Sequence, residues 1–161
     1  MEFSIRPAVT DDVKPLAQLI EDVETYYGAS RIEPFEERVA NVSEALFSDP
    51  PLAYALVAID DEGIIVGLAA YSYLWPAAGS THSLFLKELY VARHVRRAGV
   101  GASLVSALQD IAASRPGCSR LEWMTDASNE GARAFYRDMG FAESDDKIVY
   151  RADASTNFGR A

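Results

Sequence analysis

The sequence predicts an α/β fold, in which a mixed β-sheet carries helices on both faces as a three-layer α/β/α domain. Two observations lead to this prediction. Segments with helical spacing of apolar residues alternate with strand-like segments, in the order strand, two helices, three strands, helix, strand, helix, strand. The 161 residues are 49% hydrophobic and 24% charged, the composition of a globular domain with a full core. We therefore expect one domain over residues 1–153 and a flexible tail over residues 154–161.

The first half of the chain predicts one strand, two helices and a hairpin. Pro15 is best tolerated in the first turn of a helix, which favours Asp12 as the N-cap of the first helix. The acidic turn Asp60-Asp61-Glu62-Gly63 predicts a β-hairpin. The predicted elements are a strand at residues 3–6, helices starting at residue 12 and spanning 34–47, and strands at 53–59 and 64–74.

The second half alternates strands and helices. The clearest helix is the third, where apolar residues from Val100 to Ala112 form one face. Asn129 is the expected N-cap of the fourth helix, and Gly140 is the expected residue after its end. The predicted elements are strands at residues 84–91, 120–125 and 147–152 and helices at 99–114 and 129–139.

Charge and cysteine content exclude several classes of function. The net charge of −9 argues against nucleic acid as a partner, because phosphate backbones need a basic surface. No apolar run approaches the roughly 20 residues of a membrane span, and the N-terminus predicts no signal peptide. The single Cys118 fits a reducing cytoplasm, and His82 and His94 lack metal-ligand spacing, so we expect a cytoplasmic protein with no metal site.

The stretch Arg96-Arg97-Ala98-Gly99-Val100-Gly101-Ala102 lies between a predicted strand and the third predicted helix. A strand that turns through small residues into a helix leaves backbone N–H groups without partners, and the helix start carries partial positive charge. Two glycines alone would indicate only a turn, but Arg96 and Arg97 add charge and forked donors. The stretch therefore predicts a pyrophosphate site. No Gly-Lys-Ser/Thr follows, which disfavours a nucleotide-binding P-loop.

Two motifs resemble those of the GCN5-related N-acetyltransferase (GNAT) superfamily. Arg96-x-x-Gly99-x-Gly101 matches its Q/R-x-x-G-x-G/A motif for acetyl-coenzyme A, and the segment from Asn129 through Phe135-Tyr136 to Met139-Gly140-Phe141 matches its second signature block. The resemblance covers residues 3 to about 151. It implies the GNAT (acyl-CoA N-acyltransferase) fold with splayed central parallel strands, and an acetyl-CoA-dependent N-acetyltransferase. Residues 71–75, 86–91 and 121–123 more weakly resemble the diamine (spermidine/spermine-type) branch.

The resemblance implies which residues bind the donor. The turn amides would hold the pyrophosphate, and the peptide-like pantetheine arm would lie between the splayed strands, bonded to one strand edge. The implied donor-binding residues are Leu89, Tyr90, Val91, Arg96, Arg97, Ala98, Gly99, Val100, Gly101, Ala102, Asn129 and Tyr136.

Acetyl transfer to an amine needs a neutral nucleophile and a donor for the leaving thiolate. A lysine-like amine with a pKa of about 10.4 costs roughly 4.6 kcal/mol to hold neutral at pH 7. Tyr136 matches the superfamily's tyrosine acid; its hydroxyl is less acidic than a thiol by about 2 kcal/mol, so we expect it mainly to donate a hydrogen bond. On spacing alone Tyr136 is a core residue beside Phe135, and the upstream motif favours catalysis.

The base is where the sequence departs from the diamine branch, because Lys87 and Glu88 stand where that branch has Glu and then Asp. Charged Lys87 cannot act as a base. In an ideal strand Glu88 points to the face opposite that of residue 87, and a β-bulge would turn Glu88 back to the face of residue 87. We expect Glu88 to be the base, with a surface ion pair to Lys87 or Arg93 as the alternative.

Acidic and aromatic residues near the first helix suit an ammonium-bearing acceptor, although exposed helix ends often contain them. The expected acceptor-binding residues are Glu24, Tyr27 and Trp75. We expect direct transfer to a primary amine of a small molecule, without an acyl-enzyme. Two alternatives stay open: a catalytically weak acyl-CoA-binding regulatory module, and a protein or peptide N-acetyltransferase. A homodimer is expected by analogy with the superfamily.

Overall fold

Sheet and helices appear where the periodicity predicts them. The computed structural model describes residues 1–154, which fall into two units, residues 1–124 and the described residues from 125 onward. All but one of the predicted elements are present, and each predicted end lies within two residues of the observed end. The elements are β1 (Phe3–Pro7), α1 (Val13–Tyr26), α2 (Phe35–Phe47), β2 (Tyr54–Asp60), β3 (Ile65–Leu74), β4 (His82–Val91), α3 (Val100–Ser114), β5 (Cys118–Trp123) and α4 (Glu130–Asp138).

The five strands of the first unit lie in the order β1-β2-β3-β4-β5. Neighbours are antiparallel except β4 and β5, which are parallel. One core fills the face covered by α3, with Leu84, Leu86 and Leu104 buried in it, and a second core lies beneath α1 and α2. Helices therefore cover both faces of the sheet, which confirms the predicted three-layer α/β/α architecture.

The predicted hairpin is present between β2 and β3. The Asp60 carboxylate accepts hydrogen bonds from the N–H groups of Glu62 at 3.0 Å and Ile64 at 2.8 Å. Gly63 has φ +83°, a conformation that favours glycine. The turn chemistry is thus local, which is why the sequence could predict it.

Asp12 precedes α1, as predicted, but its side chain does not cap that helix. Its carboxylate instead accepts two hydrogen bonds from Arg6, at 2.6 and 2.9 Å, and one from the N–H of Val9 at 2.8 Å. The predicted N-cap position is confirmed, and the side chain turns away from the helix because a charged donor on β1, a more favourable partner than a helix amide, lies beside it.

The predicted last strand, over residues 147–152, is absent. Ile148, Val149 and Tyr150 are 80%, 60% and 91% exposed. Their apolar pattern favours a strand, but the described part of the second unit contains no other strand to pair with them, and a strand needs partners for its backbone groups. This prediction was wrong.

The second unit contains α4, and its predicted ends are confirmed. The Asn129 side chain accepts a hydrogen bond from the N–H of Ala132 at 3.0 Å. Gly140 has φ +88° after the helix end. The single-domain boundary at residue 153 stays a prediction, and the predicted tail lies outside the described residues except for Ala154. None of the described helices is long and apolar enough to cross a membrane.

Candidate active site

The turn between β4 and α3 has the geometry that an anion site needs. Arg97 and Gly99 both have positive φ, +69° and +87°, and Gly99 is the N-cap of α3. No side chain caps the helix, and the N–H groups of Val100, Gly101 and Ala102 have no acceptor among the described residues. Three amides at a helix N-terminus are thus available to a ligand.

Gly67 on β3 fixes the position of this helix start. A Cβ atom at Gly67 would lie 2.9 Å from Cγ1 of Val100 and 3.1 Å from Cδ1 of Leu104. Val100 and Leu104 are fully buried, so α3 packs directly on the strand. Gly67 was not predicted from the sequence, although a glycine within an apolar strand signals such a close approach.

Three arginines surround the turn without acidic partners. Within residues 1–154, Arg93, Arg96 and Arg97 form no ion pair with a carboxylate, in a chain of net charge −9. Arg96 donates through Nε to the carbonyl of Val91 at 3.0 Å and through Nη1 to the hydroxyl of Tyr26 at 3.4 Å. The turn therefore combines free amides with uncompensated positive charge, which favours an anionic ligand.

Pairing between β4 and β5 stops before β4 ends. The last parallel pair is Leu86 with Trp123, and β4 continues to Val91. Leu89, Tyr90 and Val91 pair with β3 on one side, and within the described chain no β5 residue pairs with them on the other. This leaves an open strand edge that leads to the turn, where an extended ligand with amide groups can bind.

A β-bulge at Lys87 decides where Glu88 points. Glu88 is opposite Ala70 and Leu86 is opposite Tyr71, so Lys87 has no partner and the alternation of side chains reverses. Leu86 therefore faces the α3 core, and Glu88 shares the face of Tyr90, which packs beneath α1 and α2. The bulge that the sequence analysis invoked is confirmed.

Glu88 is half-buried, and no ion pair links it to Lys87 or Arg93 in the described structure. Burial raises the pKa of its carboxyl, the negative charge of Glu24 raises it further, and Lys87 opposes the shift. A carboxyl with a raised pKa is a better proton acceptor than an ordinary glutamate. The alternative reading of Glu88 as half of a surface ion pair finds no support.

The expected acceptor residues do not all lie together. Glu24 is exposed near the end of α1, where its charge acts on Glu88, and Tyr27 follows the last residue of the helix. Trp75 is 73% exposed beyond the end of β3, next to the pair Leu74–Ser83. Ser83 lies eight positions before Val91 along β4, a separation of about 25 Å, so Trp75 is at the opposite end of this strand from the donor turn.

A buried arginine that was not predicted from the sequence connects α2 to the middle of α1. Arg38 on α2 is 3% exposed, and donates hydrogen bonds to the carbonyl of Ala17 at 3.3 Å, to Oε2 of Glu21 at 2.9 Å and to the carbonyl of Glu33 at 2.6 Å. It thereby holds α1 and the connection to α2 together. No local pattern marks Arg38, because its partners are up to 21 positions away.

The remaining predicted residues, Asn129 and Tyr136, belong to the second unit. Asn129 caps α4 through its side chain. Tyr136 lies on α4, with its ring centroid 5.0 Å from that of Phe135 in an edge-on arrangement. This contact is the packing role that spacing alone suggested for Tyr136, and its catalytic role stays a prediction.

Comparisons with known proteins identify the family of this chain. Residues 16–141 match the model of the Acetyltransferase (GNAT) family. The chain is 29% identical, over 72% of its length and 80% of the relative, to aminoglycoside N(6')-acetyltransferase type 1 of Serratia marcescens.

Solved structures show the same fold. An integron cassette protein from the mobile metagenome of V. cholerae superimposes with a TM-score of 0.84, at 24% identity, over 95% of this chain and 93% of the other. Aminoglycoside N-acetyltransferase AAC(6')-Iy, in complex with CoA, gives 0.76 at 23% identity over 94% and 95%. The chain belongs to the GNAT family of acetyl-CoA-dependent N-acetyltransferases.

Proposed function

We propose that the protein transfers the acetyl group of acetyl-CoA directly to a primary amine of a small molecule. The observation that carries this proposal is the turn before α3, with its three unpartnered amides and three arginines without acidic partners. The relatives named as aminoglycoside acetyltransferases support a small amine as the acceptor.

The residues present fit the donor. The amides of Val100, Gly101 and Ala102 would hold the pyrophosphate, because they point from a helix N-terminus and have no protein acceptor. The open edge of β4 at Leu89–Val91 would bind the pantetheine arm, and one of its N–H groups would stabilise the developing oxyanion. Bound acetyl-CoA supplies a thioester, whose carbonyl carbon is open to attack by an amine.

Glu88 would accept the proton of the acceptor ammonium, directly or through a water molecule. Its raised pKa reduces the difference from an amine pKa of about 10.4, and so reduces the free energy of proton transfer. Glu24 and Tyr27 would bind the cationic acceptor by charge and by cation–π contact. Trp75 would contribute only to a long acceptor, since it follows the far end of β3.

Tyr136 would donate a hydrogen bond from its hydroxyl to the thiolate as the C–S bond breaks. Because phenol is less acidic than a thiol, the group would mainly stabilise charge, and solvent would deliver the proton. Asn129 would contact the donor in addition to capping α4. We further propose a cytoplasmic location and a homodimer; size-exclusion chromatography with light scattering would test the second.

Two measurements test the proposal. Isothermal titration calorimetry should show binding of CoA and acetyl-CoA to the purified protein. CoA-thiol release should then appear with members of a panel of diamines, polyamines, aminoglycosides, amino acids and peptides. Binding without turnover on any amine would indicate a regulatory module, turnover on peptides alone would indicate a protein acetyltransferase, and the absence of CoA binding would refute the donor site.

A further inference from the structure

Tyr26, the last residue of α1, lies against two arginines of the turn between β4 and α3, residues 92–99, which we call the donor turn. Its ring centroid is 4.7 Å from Cζ of Arg93 and 4.6 Å from Cζ of Arg96. Its hydroxyl accepts a hydrogen bond from Nη1 of Arg96 at 3.4 Å. One exposed tyrosine thus holds two cations beside the free amides of α3.

The contact connects three elements. Arg96 belongs to the turn between β4 and α3, and its Nε also donates to the carbonyl of Val91 at the end of β4. Tyr26 therefore joins the end of α1 to the open edge of β4 and to the turn. Two residues earlier on the same helix, Glu24 acts on the pKa of Glu88.

An aromatic ring does something here that a carboxylate could not. Two guanidinium groups repel each other, and a carboxylate placed between them would hold them but cancel much of their charge. A ring attracts cations through its quadrupole and carries no net charge. The guanidiniums of Arg93 and Arg96 are thus kept together, with their full charge available to an anion.

We propose that Tyr26 is a positioning residue for the donor diphosphate, which it serves by holding Arg93 and Arg96 at the mouth of the turn without neutralising them. This inference rests on the proposed function.

Three substitutions of Tyr26 distinguish what its ring, its hydroxyl and its lack of charge each contribute to CoA binding. Tyr26→Phe keeps the ring and should leave the Kd for CoA within about threefold of wild type. Tyr26→Leu removes two cation–π contacts and should weaken CoA binding about tenfold. Tyr26→Glu should weaken it further, because a carboxylate pairs with the arginines and repels the diphosphate.

Calorimetric titration with CoA provides the main readout, and steady-state kinetics with an accepted amine provide a second. For Tyr26→Leu the KM for acetyl-CoA should rise, whereas kcat at saturating donor should change little. Tyr54→Leu is the matched control. Tyr54 is 39% exposed, close to the 41% of Tyr26, and its ring packs on Tyr71 and Tyr73, away from the donor turn.

The outcomes are distinct. Wild-type protein that does not bind CoA would refute the proposed function. Wild-type protein that binds CoA, together with a Tyr26→Leu variant of equal affinity, would overturn only the role of Tyr26. A Tyr26→Glu variant that binds as tightly as Tyr26→Phe would overturn the argument about charge. An equal loss of affinity in Tyr54→Leu would show that Tyr26 acts through general stability.

Discussion

At the scale of single residues, the extra residue Lys87 is what gives Glu88 its environment. Without the bulge, Glu88 would face the same core as Leu84 and Leu86, where a carboxylate would have no partner. With it, Glu88 lies half-buried on the side of α1 and next to the charge of Glu24. One inserted residue thus keeps the Glu88 carboxylate out of the apolar core and makes it a candidate base.

Substitution of Glu88 by Gln should lower kcat/KM by roughly 10²-fold or more, because the amide cannot accept a proton from the amine. In the wild type, activity should fall as the pH drops through the raised pKa of this carboxyl, since the base must be deprotonated. The pH dependence of kcat/KM measures both effects.

Glu24→Gln is a second test of the pH profile, because it shifts the pKa of Glu88 and keeps the Glu88 carboxyl in place. It removes the negative charge that raises the pKa of Glu88, so the acidic limb should move to lower pH. If the acidic limb persisted unchanged in Glu88→Gln, another group would be the base.

Tyr136→Phe should lower kcat by roughly 10²-fold, because one hydrogen-bond donor to the developing thiolate is lost. The Kd for acetyl-CoA should stay nearly constant, since the ring and its contact with Phe135 remain. Tyr150→Phe, which alters a 91% exposed tyrosine of the same unit, is the control. Equal turnover in Tyr136→Phe and wild type would remove Tyr136 from the mechanism.

At the scale of elements, the donor turn depends on how closely α3 approaches the sheet. The amides of the turn belong to the first residues of this helix, and Val100 touches β3 at Gly67. A residue on β3 therefore determines where the first amides of α3 lie.

Gly67→Ala should reduce the free energy of unfolding by about 1–3 kcal/mol and weaken CoA binding, because the new methyl group displaces the start of α3. Urea unfolding and calorimetry measure the two effects. Removing the methyl groups of Val100 in the double variant Gly67→Ala/Val100→Ala should recover part of the CoA affinity. A single variant with wild-type stability and affinity would show that α3 does not depend on this contact.

At the scale of the whole molecule, the chain has a net charge of −9, whereas the proposed donor site needs positive charge. The arginines of the donor turn keep their charge because none is paired with a carboxylate in the described structure, whereas Arg6, Arg38 and Arg133 are all paired. Acidic residues elsewhere thus pair with arginines outside the turn before α3 and leave the charge of that turn uncompensated.

The pair Arg6–Asp12 links β1 to the start of α1 and should make stability depend on pH. The pKa of Asp12 is lowered in the folded protein, and the hydrogen bond from Arg6 is the main cause. The stabilisation is therefore complete above the unfolded pKa of about 3.9 and is lost as the pH falls through the lower folded value.

Asp12→Asn should reduce the free energy of unfolding by roughly 1–3 kcal/mol at pH 7, and the difference from wild type should shrink below about pH 4. Urea unfolding at several pH values measures it. Asp11→Asn changes an exposed neighbour and should have little effect. A difference that stays constant down to about pH 2 would contradict the role of the Asp12 charge.

Local chemistry is what the sequence by itself determined. Apolar periodicity predicted the helices and all five strands of the described residues, the Asp60–Gly63 turn predicted the hairpin, and Asn129 and Gly140 predicted the ends of α4. The motif at residues 96–102 predicted the turn before α3, whose amides have no acceptor among the described residues. These features depend on residues within a few positions of one another, so a linear pattern contains them.

Contacts between residues distant in the sequence were decided only by the tertiary structure. Arg96 meets Tyr26 across 70 positions, Gly67 receives Val100, and Asp12 turns from its helix to Arg6. The strand predicted at residues 147–152 is absent for a related reason: an apolar pattern favours a strand, but strand pairing depends on residues that are distant in the sequence. The bulge that orients Glu88 is likewise a property of two paired strands, and neither strand shows it alone.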